Sequence, residues 1–156
     1  MNHTERLQFS QLLGMEVAQL RTFITLLGRE ESLLVAGDTD ALLALTQEKT
    51  ALYHTLQRLH DARAMLLGRL GLANSGEAIR SLCADMPDTL AQWDEVLRLA
   101  AEARERNSLN GKLVIERMQH NQGALSILLA AADRPQLYAA DGHARTTGGG
   151  RMLGSA

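Results

Sequence analysis

The chain has 156 residues and a formal net charge of −2, from 16 lysines and arginines against 18 aspartates and glutamates that are interspersed along it. This length predicts one domain with a modest core, and the near-neutral charge lacks the basic patch on which nucleic-acid binding depends. Aromatic residues make up 3% of the chain, and leucine and alanine dominate the apolar set. That composition favours elongated helical packing over a thick core or a surface for base stacking.

Neither an export signal nor a membrane anchor is predicted. Residues 1–6 carry two charged residues and lead into an amphipathic stretch that Glu16 interrupts, unlike a signal peptide. The most apolar run, residues 124–132, is shorter than the roughly 18 residues that a membrane span needs. Cys83 is the only cysteine, so we expect a small buried hydrophobe rather than a disulfide. These features predict a cytoplasmic protein that does not insert into a membrane.

The first predicted helix extends from about Thr4 to Ala36 and ends in a short turn. Its stripe advances in alternating steps of four and three residues, with one polar break, through Leu13, Val17, Leu20, Ile24, Leu27, Glu31 and Leu34. Gly37 suits the position after a helix, and Asp38 can accept a hydrogen bond from the first turn of the next helix. A turn this short predicts an antiparallel helical hairpin.

The second helix repeats the spacing but places two cations on its apolar stripe, which consists of Leu42, Leu45, Lys49, Leu52, Leu56, Leu59, Arg63, Leu66 and Leu70. A charge in an apolar contact must find a partner or extend to water along its aliphatic stem. Two interpretations of Lys49 and Arg63 follow. Either both side chains simply reach solvent, or they set helix register and partner choice.

Residues 71–76 predict a break, followed by a short helix over residues 77–85 that Pro87 ends. Asp88 is the expected N-cap of a third long helix. Gly111 inside that helix costs about 1 kcal/mol relative to alanine, which a close helix approach, a hinge or a harmless weak spot would explain. The stripe of this helix is Leu90, Trp93, Leu97, Ala100, Arg104, Asn107, Gly111, Val114, Met118, Asn121, Leu125 and Leu128.

No stretch alternates β-branched or aromatic residues with polar ones, so no strand is predicted. After Pro135 the chain becomes rich in glycine, which is typical of a disordered tail. The predicted fold is therefore all-α: an elongated antiparallel helical hairpin or bundle of three long helices with a short connecting helix. Residues 1–134 form its helical bundle domain, and residues 135–156 form a flexible tail.

No catalytic, metal or cofactor site is predicted. The five histidines are dispersed, and none lies four residues from another, as a shared metal on one helical face would require. The stretch from His54 to Arg58 resembles a histidine phosphotransfer box. However, Gln57 and Arg58 stand where that box has a lysine and a glycine, so a solvated surface histidine is the favoured interpretation.

The segment Asn107-Ser-Leu-Asn110-Gly111-Lys-Leu113 resembles the Asn-x-x-Asn-Gly-x-Leu core of FlgN-type flagellar export chaperones. Further similar elements are Gly37-Asp38, Leu42, Leu45, Lys49, Leu52 and Arg63 upstream, and Asn121, Leu125, Leu128, Leu137-Tyr138 and Asp141-Gly142 downstream. This resemblance implies a cytosolic chaperone that holds the two hook-filament junction proteins and delivers them to the export gate of the flagellar type III secretion system. It implies neither a chemical reaction nor ATP hydrolysis. It places client binding towards the C-terminus.

On this interpretation, the apolar side chains of the third helix bind an amphipathic client helix. The expected contacts are Val114, Met118, Asn121, Leu125 and Leu128, with Leu137 and Tyr138 folding onto the partner. A generic coiled-coil scaffold or regulator is the second hypothesis, and a degenerate phosphotransfer module is the third. The pattern leaves open which stripe is core and which is binding surface, and whether the chain self-associates.

Overall fold

In the computed structural model, residues 1–139 are described, with side chains for residues 1–131. They form four helices, α1 (His3–Ala36), α2 (Thr39–Arg69), α3 (Gly76–Leu82) and α4 (Pro87–Ala139), and the described part of the chain contains no strand. The predicted all-α class is confirmed. None of the described helices is long and apolar enough to cross a membrane.

Local hydrogen bonds fix the ends of the first two helices. The Asn2 side chain accepts from the backbone N–H of Glu5, whose carboxylate accepts in return from the N–H of Asn2. Gly37 ends α1 in the left-handed conformation, with φ of 72°, and Asp38 caps α2 by accepting from the N–H of Ala41 at 3.1 Å. The predicted turn is therefore confirmed at both residues.

Paired side chains define the helix directions within residues 1–113. Glu30 pairs with Lys49, whereas the earlier Glu16 pairs with the later Arg63, so α1 and α2 are antiparallel. The first part of α4 runs parallel to α1, because Ser10 hydrogen-bonds Gln92 and Leu27 accepts from Asn110 further along. These three helices thus pack around an apolar interior, to which α3 contributes Ile79.

The interior consists of two groups of buried side chains. The larger contains Phe9, Leu13, Val17, Leu20, Leu66, Leu67, Ile79, Cys83, Trp93, Val96 and Leu99, and the smaller contains Phe23, Leu27 and Ala103. Burial raises the pKa of the Cys83 thiol, since a thiolate is poorly solvated there. As expected, this cysteine is a small buried hydrophobe.

The structure contradicts the simpler interpretation of Arg63, one of the two cations on the predicted apolar stripe of α2. Its side chain is only 7% exposed and its guanidinium hydrogen-bonds both carboxylate oxygens of Glu16, which is equally buried. The same guanidinium lies 5.1 Å from the centre of the Trp93 ring, within cation–π range. The interpretation that Arg63 merely reaches solvent is wrong, because α1 provides a buried partner charge.

The start of α4 also differs from the prediction. Pro87 occupies the first helical turn, so Asp88 lies inside that turn and is not the N-cap. Proline suits this place because it has no N–H to leave unsatisfied. The predicted stripe is correct at Trp93 but wrong at Leu97 and Arg104, both exposed. The α4 positions that are buried instead are Thr89, Val96, Leu99, Ala103 and Asn110.

Contacts divide the chain into two compact units, Met1–Leu113 and the residues from Val114 onward. Helix α4 extends to Ala139, beyond the last residue of the predicted helical domain at position 134. The rest of the predicted tail, residues 140–156 with Asp141 and Gly142, lies outside the described residues.

Candidate partner-binding surface

The motif asparagine Asn110 contacts α1 from α4. It is 3% exposed, and its side-chain amide donates to the backbone carbonyl of Leu27 at 2.9 Å and to Glu30 Oε1 at 2.8 Å. Both amide hydrogens are therefore used, as a buried amide requires. Asn110 belongs to the packed interior and is not a free contact for a partner.

Lys49 extends this contact to a third helix. Its ammonium group donates to both carboxylate oxygens of Glu30 at 3.0 Å and to Asn107 Oδ1 at 2.7 Å. Glu30 of α1, Lys49 of α2, and Asn107 and Asn110 of α4 form one cluster, which we name the polar clamp. The interpretation that Lys49 merely reaches solvent is thus wrong, because its charge connects three helices.

The remaining motif residues are less constrained. A Cβ added at Gly111 would meet no described atom within 4 Å outside its own helix, so close helix approach does not explain this glycine. Helix α4 continues through Gly111 without interruption. Leu113 is half-buried and is the last residue of the first compact unit.

Beyond Leu113 the exposure of α4 changes. Every residue from Val114 to Ala131 is exposed. The predicted contacts Val114, Met118, Leu125 and Leu128 are between 42% and 66% exposed. Their spacings of four, seven and three residues place them on one helical face, and the exposed Asn121 lies on that face as well.

Three further exposed aliphatic residues lie outside the predicted heptad stripe, which includes about one position per turn. Ile115 and Leu129 flank the same face, whereas Ile127, which is 72% exposed, lies opposite it by helical periodicity. The run Leu125-Ser-Ile127-Leu-Leu129 was the available signal, because it is too apolar for a single stripe. We name the one-sided set Val114, Ile115, Met118, Leu125, Leu128 and Leu129 the aliphatic stripe.

Apolar contact is what the aliphatic stripe offers a partner. Between residues 114 and 131 the only acidic or basic residues other than His120 are Glu116 and Arg117; by helical periodicity Glu116 lies opposite the stripe, and Arg117 lies at its edge beside Leu128. Burying one aliphatic side chain contributes about 1.5–3 kcal/mol, so several provide substantial gross binding energy. A contiguous exposed apolar surface of this kind is typical of an interaction site.

The other predicted positions lie on the end of α4 and on α2. Leu137 and Tyr138 belong to α4, but their side chains lie outside the described ones. His54 is exposed on α2; nearby, Gln57 donates to Asp61 and Arg58 donates to Thr55. No group of three or more potential metal ligands occurs within the described part of the chain.

Comparisons with known proteins agree with the sequence resemblance. The family model described as FlgN protein matches residues 1–146. The flagella synthesis protein FlgN of Yersinia enterocolitica is 28% identical over 152 residues, which cover 96% of this chain and 95% of the relative. The protein of the same name from Proteus mirabilis is 30% identical over 144 residues, covering 88% and 90%. No solved structure matches this chain.

Proposed function

This chain belongs to the FlgN protein family, and from that premise we propose that it is a cytoplasmic chaperone of flagellar export. It holds hook-filament junction proteins before export and delivers them to the flagellar type III export apparatus, whose gate components are its second class of partner. Its role is binding alone, without a catalytic step or a cofactor.

The observation that supports this proposal is the exposure of the aliphatic stripe. An unassembled junction protein has amphipathic terminal helices whose apolar faces need a temporary partner. A helix that exposes aliphatic side chains over residues 114–131 provides such a partner by helix-to-helix contact. Because the stripe consists of aliphatic side chains, it accepts the apolar face of the client.

Leu137 and Tyr138 extend the proposed contact surface towards the C-terminus. If residues 136–156 order on the client, that ordering offsets a few kcal/mol of the gross interaction energy. The complex then stays reversible, as delivery requires. Deleting residues 136–156 should accordingly change both the affinity and the heat-capacity change of binding, measured by calorimetry.

Titration calorimetry with a C-terminal segment of a junction protein tests the stripe directly. Leu125→Lys places a charge in the centre of the proposed interface and should weaken binding at least tenfold, since a buried unpaired ammonium is costly. Ile127→Lys is the matched control, because it adds the same charge two residues away on the opposite face. Equal effects of the two substitutions, or none from Leu125→Lys, would refute the proposed surface.

A further inference from the structure

Within residues 1–113, a groove of about 470 Å³ opens between α2 and α4. Its floor is apolar: Leu20 and Phe23 of α1 form it together with Leu56 of α2. On the α4 side the wall is low, because it consists of Ala100 and Ala103. Small side chains allow another backbone to approach closely, so the groove has the shape that a helix can enter.

The rim of this groove is polar and lacks acidic residues. Lys49 and His60 lie on the α2 side and Arg104 on the α4 side, and no carboxylate is among the described lining residues. Lys49 already pairs with Glu30, whereas Arg104 is exposed and forms no ion pair with a described residue. The remaining side chains of the rim are Tyr53, Gln57 and Asn107.

The groove is long enough for a short helical segment. Its α2 edge extends from Lys49 to His60, which is about 16 Å at the rise of an α-helix, or three turns. Lys49 and Asn107, both members of the polar clamp, lie towards one end. Tyr53 on the rim is 62% exposed, and aromatic side chains at such positions frequently anchor protein interfaces.

We propose that this groove binds an amphipathic helix of a second partner protein, with apolar side chains facing the floor and acidic residues along the edge near Arg104. α1, α2 and α4 each contribute side chains to the lining of the groove. The unpaired guanidinium selects an acidic flank, because charge complementarity at a rim directs partner choice. The groove and the aliphatic stripe share no residue, so the groove is a separate docking surface for a different class of helix.

Two designed peptides test this inference with the full chain. Both form a fluorescein-labelled amphipathic helix of about three to four turns with leucines at helical spacing. One carries glutamates beside the leucines and its twin carries lysines. Fluorescence anisotropy should show at least tenfold tighter binding of the glutamate peptide. Arg104→Glu should reverse this preference, a charge exchange that a merely structural role of Arg104 would not produce.

Two control variants locate the binding. Lys112→Glu makes the same change in charge on α4 at an exposed position outside the groove, and should leave the preference intact. Leu125→Lys disrupts the aliphatic stripe and should leave the affinity for the glutamate peptide unchanged, so failure of the proposed client surface and failure of the groove are distinguishable. Thermal melting checks that each variant is folded.

Three results would overturn the inference. The peptides bind equally well, Arg104→Glu has no effect, or Leu125→Lys abolishes binding of the glutamate peptide. Sedimentation of the peptide-free chain provides a further test. If the chain self-associates and Arg104→Glu abolishes that association, the groove receives a second copy of this chain and not a partner with an acidic helix.

Discussion

Residues 1–113 and the α4 segment 114–131 place aliphatic residues at similar spacings with opposite outcomes. In the first region Leu13 is fully buried, whereas in the second Leu125 is 57% exposed. The burial of charged residues differs too. In the first region Glu16 and Arg63 are buried as a pair, whereas in the second Glu116 is exposed. A helical apolar stripe therefore predicts a contact surface, but only neighbouring elements decide whether that surface is core or remains for a partner.

Breaking the buried ion pair between Glu16 and Arg63 should lower the free energy of unfolding more than any other change proposed for residues 1–113. Arg63→Met leaves the Glu16 carboxylate buried without its partner, which costs about 3–5 kcal/mol of unfolding free energy. Urea denaturation of the single variants and of the double variant Glu16→Leu/Arg63→Met measures this. The double variant should recover most of the loss, and a double variant as unstable as Arg63→Met would contradict the pairing.

Leucine truncation sharpens the comparison of the two regions. Leu13→Ala removes a fully buried side chain and should cost about 2–5 kcal/mol, because it leaves a cavity. Leu125→Ala makes the same chemical change on an exposed face and should stay within about 0.5 kcal/mol. Urea unfolding of both variants checks this contrast. A large loss from Leu125→Ala would mean that the stripe is part of the core of the isolated chain.

Removing a side chain from the polar clamp should lower stability by an intermediate amount. Asn110→Ala removes two hydrogen bonds and leaves Glu30 and the Leu27 carbonyl without this donor, at a cost of about 1–3 kcal/mol. Asn121→Ala on the same helix is the matched control, since Asn121 is exposed, and it should change stability by less than about 0.5 kcal/mol. Similar losses in the two variants would exclude the buried role assigned to Asn110.

Gly111→Ala should give the smallest change in stability, and this change should be an increase. The added Cβ meets nothing within 4 Å outside its own helix, so the gain in helix propensity of about 0.5–1 kcal/mol should raise the melting temperature. Calorimetry with the client segment then separates the two remaining explanations of this glycine. Weaker binding by the stabilised variant indicates a required hinge, whereas unchanged binding indicates a harmless weak spot.

Local features of the fold were predictable from the sequence, and contacts between distant residues were not. Gly37 and Asp38 specify the hairpin turn by their own conformational preferences. By contrast, the register of α4 was wrong because Val96 and Leu97 are both apolar, and packing against α1 and α2 selects Val96. Glu16, which looked like an interruption of the first helix, pairs with a residue 47 positions away.

The candidate site shows the same limit. Its motif asparagines were expected from the resemblance, but their contacts with Glu30 and Lys49 depend on three helices meeting. The spacing of the aliphatic stripe alone does not distinguish exposed from buried residues, because Leu125 and Leu128 continue the spacing of the buried leucines. Their role as client contacts stays a prediction.

Hydrogen exchange of the α4 amides, with and without the junction-protein segment, tests the central claim most directly. Residues 114–131 have exposed side chains in the free chain, so we predict that client binding slows exchange there severalfold and leaves the interior amides around Leu13 and Leu67 unchanged. Binding that leaves exchange of residues 114–131 unaltered while protecting other parts of the chain would contradict the account.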